Sequence, residues 1–194
     1  LNMELFKYAS VKFPTRLLNF INMGWKNGHL PEEWNIALIC PIFKKGDRTE
    51  CDNYRGINLL NSGYKIYAKI ITRRIAPISE TKLHDSQNGF RKDRSCNDCI
   101  FTITQLMEKR REYNLPTLIA FIDYVKAFDK VKRNLLWEIM IKNGFPQHLV
   151  RTVQSMYINT KFKLEKSIEN DNLVEINLGL RQGCPLSPTL FNIY

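Results

Sequence analysis

The stretch Leu118-Ile119-Ala120-Phe121-Ile122-Asp123-Tyr124-Val125-Lys126-Ala127-Phe128-Asp129-Lys130-Val131 decides how this 194-residue chain is read. Its five leading residues, Leu118 to Ile122, are apolar and rich in branched and aromatic types, which predicts a strand buried on both faces. The run stops at a carboxylate, so Asp123 is expected at a strand's end. Asp129 stands just before a segment in which apolar residues return at helical spacing through Leu135, Leu136 and Trp137, and it reads as the N-cap of a helix from Val131 to Asn143. Two readings of the acids stand side by side. They punctuate a strand and a helix, or Asp123 is a hard oxygen ligand held at the mouth of a sheet, as metal-dependent phosphoryl transfer requires.

Working outward, Ile36 to Phe43 and Asn53 to Ile57 predict two strands of a hairpin, with Pro41 marking an edge or bulge. Its connection carries Lys44, Lys45 and Arg48, and Arg55 follows on the return strand, a set of cations suited to gripping phosphate. From Asn61 to Ile78, Tyr67, Ile70, Ile71, Ile75 and Ile78 fall on one helical face while Lys65, Lys69 and Arg73 line another. Gln87 to Ser95 is a polar, basic loop with one aromatic, Phe90, a mixture that suits a nucleic-acid backbone and a stacked base. A helix to about Glu112 follows it, and another spans Leu5 to Gly28 near the start. Gln147 to Tyr157 resumes helical spacing after Gly144-Phe145-Pro146.

Lys161 to Glu165 and Leu173 to Leu178 both alternate around Asn170-Asp171-Asn172, which predicts a β-hairpin. It leads into Gly179-Leu180-Arg181-Gln182-Gly183-Cys184-Pro185-Leu186-Ser187-Pro188. There Gly183 permits close backbone approach, and Pro185 and Pro188 open a helix whose N-terminus favours a phosphate.

Lys and Arg total 29 against 19 Asp and Glu, a net charge of +10 that favours an anionic partner. The apolar content of 44% supports a packed core, in one generous domain or two small lobes. No run of about 18 apolar residues and no signal-peptide pattern occur, so no membrane span is expected and an intracellular location is. Of the five cysteines only Cys96 and Cys99 have metal-like spacing, and no second pair completes a site; reduced thiols are expected. Leu1 is not Met and Leu190 to Tyr194 reads as an interrupted helix, so a fragment is expected.

In this order the pieces resemble the reverse transcriptase domain of non-LTR (LINE-type) retrotransposons. The resemblance rests on four blocks: LPEEWNIALICPIFKKGD with NYRGINLLNSGYKIYAKII, then QNGFRKDRSC, then AFIDYVKAFDKV, and GLRQGCPLSPTLFNIY. It runs from about Pro14 to Tyr194. It implies an α+β right-hand polymerase fold, an antiparallel sheet backed by helices, with residues 1–116 as fingers and an N-terminal helical extension and residues 117–194 as a partial palm. It implies, for the intact element, an RNA-directed DNA polymerase that uses Mg²⁺ or Mn²⁺, an RNA template, a DNA primer and deoxynucleoside triphosphates, in the nucleus and cytoplasm, with the fragment expected to be inactive alone. It sets no oligomeric state.

Carried over residue by residue, Asp123 matches the family's first metal-binding catalytic aspartate, and Phe128 the bulky position that crowds a ribose 2′-OH. Gln182 and Gly183 match the pair bordering the incoming nucleotide. Arg55 matches the arginine that holds its triphosphate, with Lys44 or Lys45 assisting. Gln87, Gly89, Phe90, Arg91, Arg94 and Ser95 fall in the block that contacts template. There are two departures. Gly56 stands where many members have Pro, and the family's paired aspartates, placed downstream of the last block, do not occur: there is no Asp-Asp dipeptide, and Asp171 has no adjacent acid. The competing expectations are a nucleic-acid-binding remnant without catalysis and a metal-dependent nuclease, which needs further acids beside Asp123.

Overall fold

The computed structural model describes residues 4, 8–10, 12–164 and 173–194, so the predicted turn Asn170-Asp171-Asn172 lies outside the described residues. Six helices are described: α1 (Lys12–Asn27), α2 (Ser62–Glu80), α3 (Cys96–Glu112), α4 (Arg133–Lys142), α5 (Gln147–Ser155) and α6 (Ser187–Ile193). The strands are β1 (Ile36–Phe43), β2 (Tyr54–Leu59), β3 (Lys161–Leu164) and β4 (Val174–Glu175). They form one sheet in the order β2-β1-β3-β4.

The predicted β1–β2 hairpin forms, from Leu38 opposite Leu59 to Phe43 opposite Tyr54. β3 then pairs with the other side of β1 in parallel, Ile36 opposite Lys161 to Ile39 opposite Leu164, and β4 pairs antiparallel with β3. The sheet is therefore mixed, a correction to the antiparallel sheet expected. The reason is topological: between β2 and β3 the chain runs through four helices and returns to the free side of β1 in the same direction. Among the described residues the β3 ladder ends at Ile39 opposite Leu164, before Pro41, so no described ladder bond needs the N–H that proline lacks on that side.

Helix α2 carries the core. Tyr64, Tyr67, Ala68, Ile71 and Ile75 are buried against Trp34, Leu136, Met140, Met156, Leu186 and Leu190, and Lys69 and Arg73 stay exposed on its other face. Asn61 caps it, its side chain accepting from the Gly63 N–H at 2.8 Å. A Cβ on Gly63 would stand 2.7 Å from the Trp34 ring, so glycine lets the helix start against that indole. At the end of α1, Trp25 packs on His148 at 5.6 Å, and the Arg74 guanidinium covers its ring at 4.2 Å.

The decisive stretch departs from its expectation. Leu118 to Ile122 is not a strand: Leu118 is 99% exposed and Phe121 89%, and among the described residues none pairs with them. Two-sided apolarity states what a segment must be covered by; ladder partners are non-local, and the four described strands come from elsewhere. Helix α3 shares the condition. It forms where expected, opened by the Asp98 carboxylate accepting from the Ser95 N–H at 2.6 Å, yet Ile100, Leu106 and Met107 are exposed and none of its residues is buried.

Helix α4 begins at Arg133 with Lys132 at its N-cap, not at Val131 after an Asp129 cap; Asp129 sits in a 3₁₀ turn, Phe128–Lys130. The Arg133 side chain is turned inward as a clamp. Its guanidinium donates to the carbonyls of Gly179 at 2.9 Å, Tyr157 at 3.2 Å, Ile176 at 2.7 Å and Leu178 at 3.4 Å, which fastens the segment after β4 to α4. Arg181 makes a second clamp on the carbonyls of Trp34 at 3.0 Å and Asn35 at 3.4 Å, and on the Thr160 hydroxyl at 3.3 Å. These clamps bring the Gly179-to-Pro188 stretch against the start of β1.

Candidate active site

An open cleft of about 720 Å³ lies between the β1–β2 hairpin, the segment from Asp123 to Asp129 and the Gln182-to-Pro188 segment. Its hairpin wall is rigid for local reasons. The Lys44 N–H donates to the Asn53 carbonyl at 2.8 Å, and Asn53 Nδ2 donates to the Asp47 carbonyl at 2.8 Å. The Asp47 carboxyl accepts from the Thr49 N–H and hydroxyl, which hold it below its ordinary range. Lys44 and Arg55 are thus presented from a built turn, and both line the cleft.

On the opposite wall Lys126 adopts φ 52°, reversing the chain two residues before Phe128, and its ammonium donates to Asp52 at 2.6 Å. That bond ties the Asp123-to-Asp129 segment to the turn Cys51–Asn53. It lowers the Asp52 carboxyl and raises the Lys126 ammonium, each through its hydrogen bond to the other. Asp123 is exposed on the same wall and makes no hydrogen bond or ion pair among the described residues. Phe128 is held between two rings, stacked on Phe191 at 4.5 Å and edge-on to Phe90 at 5.8 Å.

The floor is set by Gln182 and Gly183. The Asn58 N–H donates to the Gln182 carbonyl at 3.0 Å, and Gln182 Nε2 donates to the Asp129 carboxylate at 2.8 Å. Asp129 therefore orients Gln182. Gly183 has φ 100°, and a Cβ there would stand 2.9 Å from the Asn58 carbonyl oxygen, so glycine is what permits this approach to β2. Ser187 and Pro188 bring the start of α6 to the cleft.

The cleft thus unites Asp123, Lys44, Arg55, Phe128, Gln182, Gly183 and Phe90, separated by as many as 139 positions in sequence, from Lys44 to Gly183. Lys45 is exposed on the hairpin turn outside the lining, and Gln87, Gly89, Arg91, Arg94 and Ser95 lie outside it too. Their loop is bolted to α6: Gln87 Nε2 donates to Asn192 Oδ1 at 3.3 Å, and Asn192 Nδ2 donates to the Gly89 carbonyl at 2.9 Å. The Arg91 side chain is 4% exposed, its guanidinium bonded to Glu80 and to the carbonyls of His84 and Gln87. Arg94 pairs with Asp85 at 3.1 Å and Ser95 belongs to the helix cap.

Sequence reasoning missed Asp52, Lys126 and Asn192, whose partners are 74 and more than 100 positions away and leave no local signal. It also missed Arg133 and Arg181, although a cation between Val131 and Leu136 at core spacing was a legible oddity.

For a divalent metal the donor set is incomplete. Among the described residues no three His, Cys, Asp or Glu side chains come together; Asp129 is engaged by Gln182 and Asp52 by Lys126. Asp123 alone offers one carboxylate, and a hard cation takes about six oxygen ligands.

The family model described as "Reverse transcriptase (RNA-dependent DNA polymerase)" matches residues 42–194. The "Transposon TX1 uncharacterized 149 kDa protein" of Xenopus laevis is 27% identical over 193 residues, all of this chain and 15% of its own length. The "RNA-directed DNA polymerase from mobile element jockey" of Drosophila melanogaster is 28% identical over 93% of this chain and 20% of its own length. The "Retrovirus-related Pol polyprotein from type-1 retrotransposable element R2" of Popillia japonica is 26% identical, over 90% and 24%. The chain spans less than a quarter of each of these three relatives.

Proposed function

We infer that this chain, which belongs to the reverse transcriptase (RNA-dependent DNA polymerase) family, forms the nucleotide-binding part of a retrotransposon's RNA-directed DNA polymerase. The observation that carries the reading is the convergence of Lys44, Arg55, Asp123, Phe128, Gln182 and Gly183 on one cleft. The assignment of residues 1–116 to fingers and 117–194 to part of a palm belongs to the same proposal.

In this reading Arg55 and Lys44 hold the triphosphate by charge-assisted hydrogen bonds, and Phe128, fixed by Phe90 and Phe191, presses on the sugar. Gln182 and Gly183 border the base, with Asp129 fixing the amide of Gln182. A primer 3′-OH attacks the α-phosphate of the deoxynucleotide and pyrophosphate leaves with the bonding electrons. Members of the family generally use divalent metal ions, and Asp123 is the carboxylate this chain contributes toward one. Arg55→Ala is expected to weaken deoxynucleoside triphosphate binding by one to two orders of magnitude, since a bond to a charged group contributes about 1.5–3 kcal/mol. Titration with a fluorescent analogue measures it, and unchanged affinity would remove Arg55 from the site.

Phe128→Val in the intact polymerase is expected to admit ribonucleotides while deoxynucleotide use continues. Single-nucleotide incorporation with paired ribo- and deoxyribo-substrates reads this directly, and unchanged discrimination would reduce Phe128 to packing. Template and primer are expected to lie on the basic surface of Lys44, Lys45, Lys65, Lys69, Arg73 and Arg94, without Arg91, whose guanidinium is spent inside its loop. Affinity should fall with salt by a log-log slope of about 0.7 per single-strand phosphate neutralised. A flat dependence would sink this surface.

One observation favours a second reading, a nucleic-acid-binding remnant: among the described residues no group of three His, Cys, Asp or Glu side chains gathers at Asp123. Primer extension by the intact protein separates the two.

A further inference from the structure

Behind the cleft, across the Asp129–Gln182 bond, lies a second pocket of about 320 Å³. It is walled by β1, β3 and the Ile176-to-Gln182 segment, and shares Gly56, Asp129 and Gln182 with the cleft. Arg133 and Arg181 both line it, at 8% and 3% exposure. Lys161, half-buried on β3, is a third cation in the lining. Among the described residues the lining's one acid is Asp129, and Gln182 holds one of its oxygens.

Neither guanidinium has a carboxylate partner among the described residues; their partners are main-chain carbonyls, the Thr160 hydroxyl and the faces of Tyr64 and Tyr157. Arg181 Nε is buried, with no partner among the described residues. Taking a charge out of water costs several kcal/mol, and carbonyl dipoles and aromatic faces offset part of that. They account for two clamps that hold the chain in place. They do not account for three cations around a hollow whose one acid is already engaged. A cation there would be repelled, and an apolar occupant would leave the charge unmet. A compact oxyanion supplies the missing charge, and its oxygens suit the cations that line the hollow. The volume is at the low end for ligand pockets and is enough for such an ion with water.

We propose that this pocket is a binding site for a phosphate-class oxyanion, held by Arg181, Arg133 and Lys161. The site is separate from the cleft and does not depend on what the cleft binds.

The test is thermal unfolding of the chain in inorganic phosphate, in pyrophosphate and in sodium chloride at matched ionic strength. Phosphate or pyrophosphate is expected to raise Tm saturably above the chloride control; the tighter of the two identifies the occupant, and either order supports the site. Lys161→Gln should fold with an unchanged Tm in chloride and weaken the apparent affinity at least tenfold, while Arg55→Ala should leave it within twofold. Stabilisation no greater than in chloride would overturn the proposal. So would a shift lost in Arg55→Ala and kept in Lys161→Gln, which would put the anion in the cleft.

Discussion

Asp123→Asn in the intact polymerase is expected to lower primer extension on an RNA template by at least a thousandfold, with folding unchanged. The substitution keeps the shape of the side chain and removes its charge. If Asp123 supplies a metal-binding oxygen, the loss is the transition-state charge stabilisation that a bound ion gives, several kcal/mol, and each 1.36 kcal/mol is a factor of about ten. Stability should move by less than about 0.5 kcal/mol, because the side chain is exposed and has no partner to lose. The two readouts separate the readings of this acid: an aspartate that merely ended a strand would change neither, and activity within tenfold of wild type would withdraw Asp123 from catalysis. Asp129→Asn is the informative neighbour, since its carboxylate orients Gln182 and its loss should act on nucleotide affinity more than on the chemical step.

What the sequence disclosed follows how far each feature depends on distant chain. The β1–β2 hairpin and α2 were legible because alternation, helical spacing, the basic turn and the Asn61 cap are local and agree with the fold. Leu118 to Ile122 was misread because burial is a property of the neighbours, and none of the described strands lies beside it. Asp129 carried the local signature of a cap, yet a hydrogen bond from Gln182, 53 positions on, holds it at the cleft, and the helix starts later. Arg91 looked like a cation free for phosphate. Burial and partners decide that, and Glu80 with the carbonyls of His84 and Gln87 takes most of its donors.

Arg133→Ala is expected to cost the fold about 3–5 kcal/mol, a large share of the roughly 5–15 kcal/mol that holds a domain together. The sign needs argument, because a buried guanidinium without a carboxylate is itself unfavourable, and burial lowers its proton affinity. Exchanging such a charge for an apolar side chain stabilises some proteins, when the partners go with it. Here the partners are the main-chain carbonyls of Tyr157, Ile176, Leu178 and Gly179, which no substitution removes. Each one left dry costs about 1–3 kcal/mol, and together they outweigh the relief of desolvation. Arg133→Lys, a point donor in place of a fork, reaches fewer of the four and should fall between alanine and wild type. Because the carbonyls of Ile176, Leu178 and Gly179 belong to the segment that leads from β4 to Gln182 and Gly183, the cleft floor should loosen before the core does. Guanidinium unfolding midpoints for the three proteins measure the ladder, and hydrogen exchange at residues 176–183 should rise in Arg133→Lys under conditions where α2 stays protected. Equal midpoints for alanine and wild type would mean that the clamp follows the fold and does not hold it.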